Sequence, residues 1–166
     1  MYKFVSLLIA FIVVIGSAKA ADSTYLQKAE ATAVAQHKYI LLNFSGSDWC
    51  IPCIKMKKTI FETDAFKNYT AGNLVWINAD FPRSKKNLTK ADIKQNEQLA
   101  EQYNKNGAFP FTLLLDEKGK VVKTWDGFPN VSPEEFIKQL DTAINDHKRT
   151  SNNIAQKGSE TNGQPL

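Results

Sequence analysis

The amino-acid sequence predicts an α/β fold, a three-layer α/β/α sandwich with a central mixed sheet. Residues 39–44 and 74–78 are short apolar runs, and the first is apolar at successive positions, as in a strand covered on both faces. Residues 111–115 and 121–125 flank a turn-forming segment with a glycine near its end, which predicts a hairpin. Helical patterns separate these strands, an order typical of a layered α/β domain.

The first helix is predicted over residues 24–38. Asp22 or Ser23 can cap its N-terminus. Apolar residues then recur at helical spacing and predict the buried face. They are Leu26, Ala29, Ala33 and Val34.

The second helix is predicted to begin within residues 49–53, which read Trp-Cys-Ile-Pro-Cys, after a turn at residues 45–48. Pro52 suits the first helical turn because the N–H that it lacks would have no helical partner there. The apolar residues that continue this helix are Ile54, Met56, Ile60 and Phe61.

Two capping signals predict the later helices. Thr89 and Asp92 resemble a capping box and predict a helix that includes Tyr103, after a polar loop at residues 81–90. Ser132 and Pro133, followed by two glutamates, predict the start of the last helix. Its apolar face consists of Phe136, Ile137, Leu140, Ala143 and Ile144.

Three segments are predicted along the chain: a signal peptide at residues 1–20, one domain at residues 21–149 and a disordered polar tail at residues 150–166. Lys3 precedes a nearly unbroken apolar run, and Ala18-Lys19-Ala20 fits a signal-peptidase site. A membrane anchor is the alternative, but the run is shorter than the roughly 20 residues of a spanning helix. We therefore expect cleavage after Ala20, a periplasmic or secreted protein, and no membrane insertion afterwards.

Charge and composition argue against several kinds of ligand. Residues 21–166 contain 19 basic and 17 acidic residues, and a net charge of +2 is too small to favour nucleic acid. We interpret the basic residues Arg83, Lys85, Lys86 and Lys90 as a solvated loop. No glycine-rich nucleotide motif occurs, so no cofactor is expected. Two cysteines and two distant histidines offer too few ligands for a zinc site.

Cys50 and Cys53 are the only cysteines, and they form a C-x-x-C pair. At a helix N-terminus the outer thiol of such a pair is acidified, and a thiolate is the reactive nucleophile. A second thiol one turn away can resolve a mixed disulfide. A structural disulfide is the alternative in an exported protein. A bridge across so short a loop removes little entropy from the unfolded chain, so the spacing favours redox chemistry.

The strand before the C-x-x-C, the Phe109-Pro110 pair before the hairpin and the terminal helix together resemble the thioredoxin fold. The resemblance covers about residues 22–148. Residues 44–50 and 109–112 are most similar to exported thioredoxin-like proteins of Gram-negative bacteria. The C-x-x-C placed between this strand and this helix makes the resemblance specific.

The resemblance implies a role for each residue of the site. Cys50 corresponds to the attacking cysteine, Cys53 to the resolving cysteine, and Trp49 to the aromatic residue that packs beside the disulfide. Pro110 corresponds to a cis proline that lies against the two sulfurs. Its cis bond would present the backbone of Phe109 to a substrate chain.

Two positions depart from thioredoxins proper. Their strand carries a buried acid that serves the resolving thiol, and alignment on Phe44 puts Asn43 there instead. Asn cannot act as a base, so this role is open, with Asp48 either substituting or acting as a solvated or capping residue. Ile51 replaces a glycine and adds apolar surface, which can change partner choice and redox poise.

The resemblance implies a thiol–disulfide oxidoreductase that acts on disulfides of exported proteins, with reduction as the favoured direction. Trp49, Ile51, Phe109 and Pro110 are expected to bind substrate. A thiol donor in the membrane or periplasm must regenerate the monomeric protein, because the chain has no other cysteine. The alternative is a redox-inert thioredoxin-fold module that holds an extended peptide and keeps a structural disulfide.

Overall fold

The computed structural model describes residues 24–160, so the predicted signal peptide and its cleavage site lie outside the described residues. The order of helices and strands is the predicted one, apart from one additional helix before the second strand. In chain order the elements are α1 (Tyr25–Gln36), β1 (Tyr39–Ser45), α2 (Ile51–Met56), a π-helical continuation (Lys57–Phe61), α3 (Asp64–Asn73), β2 (Leu74–Asp80), a 3-10 turn (Lys85–Asn87), α4 (Lys90–Tyr103), β3 (Phe111–Leu115), β4 (Val121–Asp126) and α5 (Pro133–Glu160).

The sheet is mixed, as predicted, with strand order β2-β1-β3-β4. β1 pairs in parallel with β2 and antiparallel with β3, and β3 pairs antiparallel with β4. Since β1 is central, Asn43 lies opposite Asn78 on one side and Thr112 on the other. Parallel pairing also brings the ends of β1 and β2, Ser45 and Asp80, to the same edge of the sheet.

Strand β1 is buried along its whole length and separates two cores. Tyr39 and Leu41 face the core built with α2, α3 and α5, whereas Ile40, Leu42 and Phe44 face the core built with α1 and α4. Successive side chains of a strand point to opposite faces, so a run that is apolar throughout needs both covers. The predicted three-layer sandwich is confirmed.

The helix starts follow the capping chemistry, with one change. Thr24 caps α1 in a capping box with Gln27, so the predicted caps Asp22 and Ser23, which lie outside the described residues, are not needed. Thr89 and Asp92 form the predicted box at α4. α1 ends at Gln36 rather than Lys38, because His37 has a left-handed backbone conformation with φ 54°.

Two helical segments differ from the prediction. Helix α3 was not predicted, since Phe66 is its one fully buried apolar residue; its N-cap is Thr63, whose hydroxyl accepts from the Phe66 N–H. Helix α5 continues to Glu160, whereas disorder was predicted from Thr150. The apolar face ends near Ile144, but no Gly or Pro interrupts the chain between Pro133 and Gly158. Residues 161–166 lie outside the described residues.

No helix within residues 24–160 is both long enough and apolar enough to cross a membrane.

Candidate active site

The two cysteines lie where β1 leads into α2. The N–H of Cys50 donates to the carbonyl of Gly46 at 2.9 Å, which closes the turn between the strand and the helix. Cys50 is the N-cap of α2, and its Sγ accepts a hydrogen bond from the Cys53 N–H at 3.3 Å. The two sulfurs are joined in a disulfide, with Sγ–Sγ 2.01 Å and Cα–Cα 5.2 Å.

The cap places a hydrogen-bond donor on the Cys50 sulfur. A main-chain N–H directed at a thiolate stabilises the negative charge, so the Cys53 N–H favours the ionised form of Cys50 once the disulfide opens. Both cysteines are 4% exposed in the disulfide form. Beside them Ile51 is 78% and Ile54 is 44% exposed. The surface next to the sulfurs is therefore apolar, and Ile54 belongs to that surface rather than to the core face of α2.

Trp49 packs onto the turn and is fixed by three neighbours. A Cβ atom at Gly46 would lie 2.3 Å from the indole, so this close approach requires glycine. The indole Nε1 donates to the carbonyl of Phe81 at 2.7 Å. The ring of Phe109 meets the indole edge to face, with centroids 5.4 Å apart. The structure thus brings Trp49 and Phe109 together.

Pro110 lies immediately before β3 and follows a cis peptide bond from Phe109, as the resemblance implied. Pro110 is buried and lines the same cavity as Cys53. The side chain of Asn104 holds the preceding loop, because it bonds both the N–H and the carbonyl of Ala108 at 2.9 Å. The predicted site residues therefore occupy one region of the molecule, where the ends of β1, α2 and β3 meet.

The loop after β2 is the part of the site that the sequence did not predict. The Phe81 N–H donates to the Ser45 carbonyl at 2.7 Å. Asp48 accepts from the N–H groups of Ser84 and Arg83 at 3.0 and 2.8 Å, and these bonds hold the pKa of its carboxyl below the ordinary value. Asp48 is thus a capping residue. The parallel pairing of β1 with β2 was the one signal that could have placed this loop at the site.

Asn43 stands where thioredoxins proper carry a buried acid, and both the nitrogen and the oxygen of its amide are hydrogen-bonded. It is 3% exposed; its Nδ2 donates to Asn78 Oδ1 at 2.8 Å and its Oδ1 accepts from the Thr112 hydroxyl at 2.9 Å. A cavity of about 870 Å³ adjoins Asn43 and Cys53, and the carboxylates that line it are Asp80 and Glu62. A neutral amide network therefore replaces a buried carboxylate beneath the disulfide.

Asp80 fixes the first residues of the turn. Its carboxylate accepts from the Ser45 hydroxyl at 3.2 Å, from the Ser47 N–H at 2.9 Å and from the Ser47 hydroxyl at 2.6 Å. Ser45 and Asp80 are register partners at the ends of the two parallel strands. The turn before Trp49 is therefore attached to β2 through one carboxylate.

No group of three or more potential metal ligands occurs within residues 24–160. His147 lies far from the disulfide along the chain and contacts Tyr39 and Asp116 instead. His37 is an exposed residue at the end of α1.

Comparisons with known proteins place this geometry in a family. Residues 26–144 match the thioredoxin-like domain. The disulfide bond reductase DsbH of Chlamydia pneumoniae is 32% identical over 108 residues, which are 65% of this chain and 63% of that protein. The match thus spans less than two thirds of that relative.

Two solved structures share the fold. That of a DsbH oxidoreductase has a TM-score of 0.66 at 29% identity, over 74% of this chain and 83% of the other. That of a disulfide isomerase from Xylella fastidiosa Temecula1 has a TM-score of 0.54 at 22% identity, over 74% and 94% of the two chains. With its mixed sheet, its C-x-x-C disulfide at the start of α2 and the domain match over residues 26–144, the chain belongs to the thioredoxin-like family.

Proposed function

We propose that this chain is a thiol–disulfide oxidoreductase that reduces disulfides of exported proteins. The observation that carries the proposal is the cap of α2, where Cys50 is disulfide-bonded to Cys53 and accepts the Cys53 N–H. An N–H held on one sulfur of a reversible pair makes that sulfur the better thiolate. The similarity to a protein named as a disulfide bond reductase supports the direction.

The reaction has two exchange steps. The Cys50 thiolate attacks one sulfur of the partner disulfide, so a mixed disulfide forms and the other partner sulfur leaves as a thiolate. The Cys53 thiol then loses its proton and attacks Cys50 Sγ, which releases the second partner thiolate and forms the Cys50–Cys53 disulfide. The partner gains two electrons. A dithiol donor outside this chain must return them, because no third cysteine is present.

Four neighbouring residues supply the substrate surface in this proposal. Ile51, 78% exposed, gives apolar contact beside the sulfurs. Trp49 and Phe109 support each other through their ring contact. Pro110 borders the cavity that reaches Cys53. A partner segment lying across this surface would place its disulfide against Cys50.

The proton of Cys53 needs an acceptor other than the residue at position 43. The Asn43 amide is not basic, and Thr112 and Asn78 occupy its two ends. The cavity beside Cys53 also carries the Asp80 carboxylate. We therefore place the proton path through this cavity.

The N-terminal sequence supports an exported protein, and we propose that this protein acts as a monomer. Residues 1–20 have the composition of a signal peptide with a site after Ala20. The proposed compartment is the periplasm or the exterior, the partners are disulfide-containing exported proteins, and the donor is a membrane or periplasmic thiol protein.

Insulin reduction tests the activity directly. The protein with dithiothreitol should precipitate insulin faster than dithiothreitol alone, and Cys50→Ser should lose this acceleration. Cys53→Ser should retain the attack and accumulate mixed disulfides on a non-reducing gel. Lys118→Ser, an exposed change on the β3–β4 turn, is the matched control and should behave as wild type. Equal rates for wild type and Cys50→Ser would favour the redox-inert peptide-binding module.

The equilibrium potential of the pair tests the direction. A value near the thioredoxin end, about −270 mV, supports a reductant, and one near about −120 mV would show an oxidant that inserts disulfides. Titration against dithiothreitol and glutathione buffers gives the value.

A further inference from the structure

The loop that follows β2, residues 81–89, is hydrogen-bonded to the turn at residues 45–50, here called the redox turn. Its first residue, Phe81, donates its N–H to Ser45 and accepts the indole N–H of Trp49, both at 2.7 Å. Its ring packs against Phe109, with centroids 5.6 Å apart. Asp48, two residues before Cys50, accepts two further N–H groups of the loop. The loop is therefore part of the active-site rim.

This loop carries exposed positive charge to that rim. Arg83, Lys85 and Lys86 are exposed, and Lys85 and Lys86 belong to an ordered 3-10 turn. Neither lysine has an ion-pair partner among residues 24–160. Arg83 binds Asp48 through its main-chain N–H, and the charge of its guanidinium also acts on the Asp48 carboxylate.

A further cation lies on the helix that begins at the disulfide. Lys55 follows Cys53 by two residues, and its Nζ lies 4.9 Å from the centroid of the Phe128 ring and 3.4 Å from Asn130 Oδ1. No carboxylate within residues 24–160 forms an ion pair with Lys55. Lys55 and the loop cations thus flank the motif that includes exposed Ile51.

Two carboxylates, Asp48 and Asp80, lie beside the turn that carries the cysteines. Asp48 is directed at two main-chain N–H groups, and Asp80 is held by the side chains and N–H of Ser45 and Ser47. These hydrogen bonds do not remove the two negative charges, but the four cations outnumber them. An incoming chain would therefore meet an apolar centre with a cationic border.

We propose that Arg83, Lys85 and Lys86, with Lys55, select partners whose reducible disulfide is flanked by acidic residues. The inference rests on the proposed oxidoreductase function. Opposite charges at the edge of an interface steer encounter and disfavour partners of like charge, and salt screens the effect over about 10 Å at 0.1 M. The cations act on encounter and docking, whereas the exchange steps belong to Cys50 and Cys53.

The test uses two disulfide peptides of equal length and cysteine spacing, one with glutamates and one with lysines beside the cysteines. The dithiol protein is mixed with each, the reaction is acid-quenched, and each rate constant is divided by that of dithiothreitol with the same peptide. We expect the normalised rate constant for the acidic peptide to be about tenfold higher at low salt, falling to within about twofold at 0.5 M salt.

A charge-deletion variant locates the effect. Replacing Arg83, Lys85 and Lys86 by Ser leaves the backbone bonds to Asp48 available. It should bring the rate constant for the acidic peptide most of the way down to that for the basic peptide. The matched control replaces three cations at the opposite end of the sheet, Lys118, Lys120 and Lys148. This variant should keep the wild-type preference for the acidic peptide. The inference would be overturned if wild type and the loop variant gave the same ratio of the two rate constants, or if wild type reduced the two peptides equally fast. Failure of wild type to reduce either peptide or insulin would instead reject the oxidoreductase function.

Discussion

The two ends of strand β1 hold their ionisable groups in different ways. At the carboxyl end, Asp80 and Asp48 bind hydroxyl and main-chain N–H groups. At the amino end, ionisable side chains meet each other: the Tyr39 hydroxyl lies 3.0 Å from His147 Nδ1, and His147 Nε2 lies 3.8 Å from Asp116. The redox end is a fixed turn, whereas the other end is a contact between side chains.

The difference shows how a reactive turn can be ordered without a buried charge. Hydrogen bonds to main-chain N–H groups fix a backbone, and they need no second ionisable group whose titration would disturb the site. The amide of Asn43 extends this principle below the disulfide. Each prediction below changes one end and leaves the other as reference.

Asn43→Asp should have the largest effect, because it puts a carboxyl in a position that is 3% exposed. Burial should raise the pKa of the new group by 2–3 units, about 3–4 kcal/mol of lost stability at pH 7. A raised pKa means that the loss is absent below the unfolded value, about pH 4, and develops as the pH rises through the folded value. Urea unfolding between pH 4 and 8 measures it.

The control for that variant is Asn78→Asp, because Asn78 is the exposed hydrogen-bond partner of Asn43. An exposed carboxylate stays hydrated, so this change should cost less than about 1 kcal/mol at pH 7. Similar losses in the two variants would contradict the account of Asn43 as a buried neutral amide.

Gly46→Ala should have the next largest effect. The new Cβ would lie 2.3 Å from the Trp49 indole, so the ring must move and its bond to Phe81 weakens. We expect a loss of about 1–3 kcal/mol in the free energy of unfolding and slower insulin reduction. Thermal unfolding and the insulin assay measure the two changes.

Gly72→Ala is the matched glycine control. Gly72 lies in α3, where an added Cβ meets nothing within 4 Å. Alanine loses less backbone entropy in a helix, so this variant should gain about 0.5–1 kcal/mol. Opposite signs at the two glycines are the expected result, and a loss at Gly72 would argue against the steric explanation for Gly46.

The sequence predicts the redox end of β1 only in part. The cysteines, Trp49 and the Phe109-Pro110 pair are local patterns, so the site could be located without coordinates. The attachment of Asp48 to Arg83 and Ser84 spans 35 and 36 residues and has no local pattern. It follows from the parallel pairing of β1 and β2, which brings both strand ends together.

The fold shows the same division. Strand β1 is apolar throughout and capping boxes recur at helix starts, so the layers and most helices could be predicted. Helix α3 could not, because Phe66 is its one fully buried residue and helical periodicity needs several. The far end of α5 was also missed, since its apolar face stops before the helix does.

Tyr39→Phe tests the amino end. It removes the hydroxyl contact with His147, at an expected cost of about 0.5–1.5 kcal/mol, without changing insulin reduction. Burial, Glu117 and Asp116 raise the pKa of Tyr39, so its stabilisation is present below pH 10 and is lost as the pH rises through the folded value. Urea unfolding at pH 7 and 11 should show a weaker alkaline loss in the variant.

Two other tyrosines also contribute to the alkaline loss of stability and serve as an internal reference for Tyr39→Phe. Burial also raises the pKa values of Tyr69 and Tyr103, so part of the alkaline loss should remain in Tyr39→Phe. A variant with impaired insulin reduction would show that the two ends are coupled, contrary to the comparison.

Asp48→Asn should have the smallest effect, a small loss of stability at neutral pH that is absent in acid. The N–H groups of Ser84 and Arg83 lower the pKa of Asp48, so the carboxylate stabilises the fold above the ordinary value of 3.8. This contribution disappears as the pH falls through the lowered value. Urea unfolding at pH 7 and pH 2.5 should therefore show a smaller acid loss in Asp48→Asn than in wild type.

The controls concern the acid loss that remains in this variant. Asp92, whose pKa Tyr25 and Thr89 lower, should supply part of it. Asp126→Asn, an exposed change without a side-chain hydrogen bond among residues 24–160, should keep the full loss. If Asp48→Asn behaves as Asp126→Asn does, the loop is held to the redox turn by the bonds of Phe81 to Ser45 and Trp49, without a contribution from the Asp48 carboxylate.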